Sequence, residues 1–112
     1  MEITSKVQFG DLDIKKAYQE LDNSTFQEKQ LKEWLDRAFT DLEKNAFCGI
    51  QIPKRLIPKE YFTKLNDLEN LWKYNLPNAW RLIYTIKKDK VVVLSIILEW
   101  LDHKEYERRF NY

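Results

Sequence analysis

A chain of 112 residues fits one domain, and its 44% hydrophobic residues, with only two glycines and three prolines, exclude a disordered or fibrous protein. The longest apolar run, residues 91–98, is too short to cross a bilayer, and the first residues do not resemble a secretion signal. We therefore expect a single cytosolic domain over residues 1–112. One cysteine and one histidine exclude an internal disulfide and a Cys/His zinc site, and we expect no metal or other cofactor.

The net charge of +1 is unevenly distributed along the chain. Residues 1–46 carry seven Lys and Arg against ten Asp and Glu, whereas residues 47–112 carry twelve against eight. This asymmetry indicates either an acidic scaffold that supports a basic working surface or an ordinary scatter of charge.

The N-terminal half predicts one strand and two helices. Apolar residues alternate over residues 3–9, which predicts the strand, and Asp11 or Asp13 can cap the helix that follows. Thr25 and Glu28 have the spacing of a capping box and predict the start of the second helix. The apolar stripe of the second helix comprises Leu31, Trp34, Leu35, Ala38, Phe39, Leu42 and Ala46. Because the linker between the helices is short, we expect them to pair as an antiparallel hairpin.

The C-terminal half predicts a β-meander. An extended connection over residues 47–58 precedes a short helix that begins at Pro58. Three antiparallel strands are predicted at residues 71–76, 80–87 and 91–100, with turns at residues 77–79 and 88–90. Residues 102–110 are polar and compatible with a helix, which we expect at the rim of the sheet.

The register of the meander decides which side chains share a face. If both turns are three-residue loops, Asn75 faces Arg81, and Arg81 lies opposite Ile97. The predicted polar face gathers Lys73, Asn75, Arg81, Ser95 and Glu99. The predicted apolar face gathers Trp72, Tyr74, Trp80, Leu82, Tyr84, Leu94, Ile96 and Leu98. This pair of registers separates polar from apolar side chains, as a half-buried sheet requires.

The order of these elements and the segment LWKYNLPNAWRLIYTIKKDKVVVLSIILEWLDHKEY, residues 71–106, resemble the RelE/ParE superfamily of toxins from type II toxin–antitoxin systems. The resemblance implies an α+β, RelE-like fold: a helical hairpin packed on a small antiparallel β-sheet, in the order β-α-α-β-β-β with a short C-terminal helix. It also implies a cognate antitoxin as partner. RelE-like members cut mRNA on the ribosome by driving a ribose 2′-hydroxyl onto the adjacent phosphate without metal, whereas ParE-like members poison DNA gyrase.

The RelE-like branch implies catalytic roles for four residues. Arg81 matches an arginine that stabilises charge on the phosphorane-like transition state, and Lys73 matches a basic position that contributes to phosphate binding or proton transfer. Tyr106 resembles a tail tyrosine that stacks on or orients the substrate base. His103 resembles a residue that precedes this tyrosine, and a histidine there is a candidate general acid or base.

Four further residues are candidate substrate contacts. Asn75 stands where many RelE-like toxins have a second basic residue, and Lys104 resembles the partner of His103 in the tail. The adjacent Lys54 and Arg55 are expected to be exposed and to make general, not catalytic, contacts with RNA or the ribosome.

Each of these roles has a structural alternative. Arg81 can form a cross-strand salt bridge with Glu99, and an exposed Lys73 can protect a strand from edge pairing. His103 can be merely solvated, and Tyr106 can pack against the sheet edge. Two hypotheses follow: an mRNA interferase without a metal or membrane requirement, or a ParE-like gyrase poison or inactive partner-binding protein of the same fold.

Overall fold

The computed structural model describes residues 3–23, 25–65, 67–89 and 92–110, in which helices cover both faces of a five-stranded sheet. The strands are β1 (Lys6–Phe9), β2 (Ile50–Gln51), β3 (Trp72–Asn75), β4 (Arg81–Asp89) and β5 (Val92–Leu101). The helices are α1 (Leu12–Glu20), α2 (Phe26–Lys44), α3 (Lys59–Lys64) and α4 (His103–Phe110). The predicted α+β class is confirmed.

The strands lie in the order β1-β5-β4-β3-β2. Neighbours from β5 to β2 are antiparallel, whereas β1 is parallel to β5, so the sheet is mixed rather than wholly antiparallel. The parallel pair arises because the helical hairpin carries the chain over one face before the meander begins. The sequence did not predict β2, because two residues are too few to show an alternating pattern.

The helix starts follow the predicted capping chemistry. Asp11 Oδ1 accepts a hydrogen bond from the Ile14 amide at 2.8 Å, and α1 begins immediately after Asp11. Thr25 Oγ1 accepts one from the Glu28 amide at 3.3 Å, and α2 begins after Thr25. Pro58 immediately precedes α3. Asp11 and Thr25 each satisfy a free amide at the start of a helix. Of the two predicted alternatives, Asp11 and not Asp13 caps α1, and the Thr25 half of the predicted capping box is confirmed.

The first predicted turn of the meander is confirmed, and the second is wrong. Asn75 pairs with Arg81 across the three-residue turn at residues 77–79. At the other end β4 continues to Asp89, which pairs with Val92, so the predicted loop at 88–90 is already strand as far as Asp89. Lys90 and Val91 lie outside the described residues.

The changed register moves several side chains to the other face. Arg81 lies opposite Leu101, not Ile97, because the strands are offset and a β-bulge interrupts the ladder between Ile83 and Tyr84. A shift of the pairing by an odd number of residues turns the side chains of a strand to the opposite face of the sheet. Ser95 is therefore on the hairpin side, where its hydroxyl lies 2.8 Å from the hydroxyl of Ser5, and it is not part of the polar face.

Both faces of the sheet carry an apolar core. The core under the hairpin contains Leu21, Leu31, Leu35, Ala38, Phe39, Leu42, Leu76, Leu82, Tyr84 and Ile97. The second core, under α3 and α4, contains Ile52, Ile57, Tyr61, Leu68, Leu71, Ile83, Leu98, Leu101 and Tyr106. Ile96 packs against this second core, so Ile96 and Leu98 lie on the face opposite to the predicted one. The second core therefore covers most of the predicted polar face, and polar residues of that face lie at one end of the sheet.

Candidate functional site

A cluster of Lys73, Arg81 and Tyr106 lies where β3, β4 and α4 meet. The Lys73 ammonium donates a hydrogen bond to the Tyr106 hydroxyl at 2.9 Å, and its Nζ lies 5.1 Å from the centre of the tyrosine ring. The Arg81 guanidinium carbon is also 5.1 Å from that centre. The structure thus brings together three of the four predicted catalytic residues.

Arg81 is held by weak contacts and retains hydrogen-bonding capacity. Its Nη1 donates to the Trp80 carbonyl at 3.3 Å, while its Nε is buried and has no hydrogen-bond partner within the described residues. A buried donor without a partner is uncommon in proteins and calls for an explanation such as a water, an ion or a catalytic role. The other donors of the planar guanidinium would match the oxygens of a phosphate.

The position of Tyr106 depends on α4. Asp102 and Glu105 cap the start of this helix reciprocally, with amide-to-carboxylate distances of 2.8 and 3.1 Å. Tyr106 stacks on Phe110 with ring centres 4.6 Å apart, and only 3% of Tyr106 is exposed. A ring this covered cannot stack on a substrate base unless α4 moves, so its available role is to hold the two cations.

The alternative role predicted for Arg81, a salt bridge with Glu99, does not occur. Glu99 lies opposite Ile83 and is only 8% exposed. Its carboxylate accepts from Arg109 Nη1 at 2.9 Å and lies 3.9 Å from Lys64 Nζ. This pairing leaves Arg81 without a carboxylate partner within the described residues and fastens α4 to the sheet.

Tyr61 lies beside this ion pair and is 1% exposed. Burial, and then the negative charge of Glu99, raise the pKa of its hydroxyl well above the usual value. The phenol is therefore neutral at physiological pH. The Arg109 guanidinium lies 5.9 Å from the Tyr61 ring, so Tyr61 is part of the packing that holds α4.

Comparison with known proteins identifies the family. A family model described as the ParE toxin of the type II toxin-antitoxin system parDE matches residues 10–98, which is more than half of the chain. The chain belongs to this toxin family. No curated protein and no solved structure gives a significant match.

Membership identifies the chain as a type II toxin and implies an antitoxin as its partner. The match includes Lys73 and Arg81, but it ends before α4 and therefore before Tyr106. Within the RelE/ParE superfamily it does not distinguish a ribosome-dependent nuclease from a gyrase poison, so the activity must be inferred from the site.

The other predicted site residues of this toxin lie around the cluster. His103 is at the start of α4, and its Nε2 contacts the Glu107 carboxylate one turn later. Asn75 is exposed at the end of β3, next to Arg81 on β4. Lys104 is exposed on α4. Exposed Lys54 and Arg55 lie in a short 3-10 turn that follows β2.

Sequence reasoning missed the buried pair of Glu99 and Arg109. The available signal was a glutamate within an otherwise apolar strand, since a buried carboxylate requires a partner. The partner could not be identified because ten residues and a chain reversal separate the two side chains.

The described ranges are residues 3–23, 25–65, 67–89 and 92–110. Within them, no group of three or more His, Cys, Asp and Glu side chains is arranged to hold a metal ion. None of the helices in that part of the chain has the length and apolar character that a membrane crossing requires.

Proposed function

We propose that this toxin is an endoribonuclease that cleaves mRNA on the ribosome by attack of a ribose 2′-hydroxyl on the adjacent phosphate. The observation that supports the proposal is the pair of cations at one tyrosine ring. Lys73 and Arg81 both lie 5.1 Å from the centre of Tyr106, and neither has a carboxylate partner within the described residues. Two uncompensated cations repel each other, and a bound phosphate would remove that repulsion.

In the proposed reaction the 2′-hydroxyl loses its proton, its oxygen bonds to phosphorus, and the bond from phosphorus to the 5′-oxygen breaks. The products are a 2′,3′-cyclic phosphate and a 5′-hydroxyl. Arg81 would stabilise the charge on the equatorial oxygens of the transition state through its guanidinium group. Lys73 would bind the phosphate or donate a proton to the leaving 5′-oxygen.

The proton acceptor in this proposal is His103. Its side chain is 56% exposed, and the Glu107 carboxylate next to Nε2 would orient the ring. His103 and Tyr106 are three residues apart on α4, so they occupy neighbouring positions on the helix surface. The ribosome would then have to bring the RNA to the rim of α4. Asn75, Lys104, Lys54 and Arg55 would contact this RNA.

A cell-free translation reaction with primer extension on the mRNA tests the proposal. We expect cuts in phase with codons for the wild-type protein and their loss for Arg81→Ala, with far-UV circular dichroism unchanged. Lys6→Ala, which removes an exposed lysine on β1, serves as the control and should leave the cuts intact. Codon-phased cuts that persist in Arg81→Ala would refute the role of Arg81.

A gyrase poison is the second candidate function, and the burial of Tyr106 favours it. Tyr106 is 3% exposed and already hydrogen-bonded to Lys73, which suits a residue that stabilises the fold better than one that stacks on an RNA base. In that case the toxin would inhibit supercoiling by purified gyrase and leave mRNA intact. Running both assays on one preparation separates the two functions.

A further inference from the structure

A basic groove of about 530 Å³ lies between the segment that precedes α3 and the last turn of α4, on the α4 side of the sheet. Its cationic lining comprises Arg55, Lys59, Arg108 and Arg109, and its apolar lining includes Leu56 and Phe110. Cations next to apolar and aromatic side chains are typical of surfaces that bind single-stranded nucleic acid.

Three of the four cations are available to a ligand. Arg55, Lys59 and Arg108 are exposed and form no ion pair within the described residues. The acidic side chain in the lining is Glu60, which pairs with Arg109 Nε at 3.1 Å, and the four cations of the lining outnumber it. The groove therefore has a net positive charge that the protein does not neutralise locally.

The groove is linked to the proposed catalytic cluster by ring packing. Phe110 lines the groove and stacks on Tyr106, and Tyr106 in turn carries Lys73 and Arg81. Because Tyr106 is only 3% exposed, this link is packing inside the fold, and the groove is a binding surface separate from the cluster.

We infer that this groove binds the phosphate backbone of single-stranded RNA, with Arg55, Lys59 and Arg108 as the phosphate contacts. The inference rests on the proposed RNA target and adds a binding surface outside the catalytic cluster. The same chemistry is offered by mRNA and by exposed ribosomal RNA, and the experiment distinguishes these two sources.

The test measures binding of a labelled oligouridylate of about 12 nucleotides by fluorescence anisotropy. All proteins carry Arg81→Ala, which prevents cleavage. Each lost phosphate contact should lower affinity about fivefold near 0.1 M salt and reduce the salt slope by about 0.7. Arg55→Ala with Arg108→Ala should therefore weaken binding about 25-fold and reduce the slope by about 1.4.

The matched control is Lys15→Ala with Lys16→Ala, which removes two exposed lysines from α1 on the hairpin side of the sheet. This variant should bind like its parent. Both double variants alter exposed side chains, so their melting temperatures should match the parent.

Two outcomes support the inference. Weakened oligouridylate binding indicates an mRNA path, whereas weakened co-sedimentation with ribosomes alone indicates a ribosomal RNA contact. Unchanged binding of oligouridylate and of ribosomes would overturn the inference. So would a double variant that lost binding only to a polyglutamate peptide, because the groove would then recognise an acidic peptide and not RNA. Cleavage is not part of the readout, so a protein that binds RNA through the groove and never cuts it would refute only the proposed function.

Discussion

Substituting Arg109 by alanine should destabilise the protein strongly, because Glu99 would remain as a buried carboxylate without its main partner. The side chain of Glu99 is 11% exposed and that of Arg109 is 26% exposed, so the pair is largely but not wholly removed from water. Breaking a fully buried pair costs about 3–5 kcal/mol, and the lower end applies here because Lys64 Nζ remains 3.9 Å from Glu99. We expect a loss of about 3 kcal/mol in the free energy of unfolding.

The reciprocal substitution should be much milder. Glu99→Leu removes the buried charge and places an apolar side chain opposite Ile83, against the second core. Arg109 keeps its bond to Glu60 and reaches solvent. We expect a cost below about 1 kcal/mol, and the double variant should recover most of the stability that Arg109→Ala loses.

Urea unfolding followed by tryptophan fluorescence measures these differences, and about 3 kcal/mol corresponds to a fall of about 12 °C in melting temperature for a domain of this size. Arg108→Ala is the control on the same helix and should change stability by less than about 0.5 kcal/mol, since Arg108 is exposed and forms no ion pair within the described residues. If Glu99→Leu destabilised the protein as much as Arg109→Ala, the argument from an uncompensated buried charge would be wrong.

Three other predictions test separate parts of the structure. Burial and the hydrogen bond to Asp41 raise the pKa of Tyr74 to about 12 from 10.0, so the stability that Tyr74 contributes is complete below pH 10.0 and is lost as the pH rises towards 12. Tyr74→Phe should therefore flatten the decline of melting temperature with pH in that interval. An unchanged decline would contradict this. A Cβ on residue 49 would lie 2.5 Å from the Tyr84 hydroxyl. Gly49→Ala should therefore lower the free energy of unfolding, measured in urea, by about 2 kcal/mol. Wild-type stability would argue against this close approach. Tyr106→Phe keeps the ring and removes the hydroxyl that accepts the hydrogen bond from Lys73. We expect mRNA cleavage to slow about tenfold, the equivalent of one hydrogen bond to a charged group, of about 1.4 kcal/mol. Full activity would show that the hydroxyl is dispensable.

Local chemistry made much of the fold predictable from the sequence. The caps at Asp11 and Thr25 and the turn at residues 77–79 are decided by side chains within a few residues of one another. Thr25 and the turn were predicted correctly, and Asp11 was one of two predicted caps. The meander was equally visible because its first two strands alternate and its third is a nearly continuous apolar run. Features that depend on distant segments were not predictable: β1 pairs with β5 in parallel, and that pairing has no local signature.

The site shows the same division. Lys73 and Arg81 were expected on one face because the first turn fixes their register, and the structure places both beside Tyr106. The second turn was misjudged because charged residues suit both a loop and an exposed strand end, and one odd offset then moved Ser95 to the other face. The contact between Glu99 and Arg109 required the packing of α4, which no pattern in a short polar segment reveals.

The most direct test of the account uses an mRNA in which a single ribose at a mapped cleavage site is replaced by 2′-deoxyribose. If Arg81 and Lys73 assist attack by the 2′-hydroxyl, the toxin should leave this one position uncut on the ribosome while it cuts the unmodified transcript to a fragment with a 2′,3′-cyclic phosphate end. Equal cleavage of the two transcripts would contradict the proposed chemistry. An intact unmodified transcript, with gyrase supercoiling inhibited by the same preparation, would instead assign this toxin to the poisons.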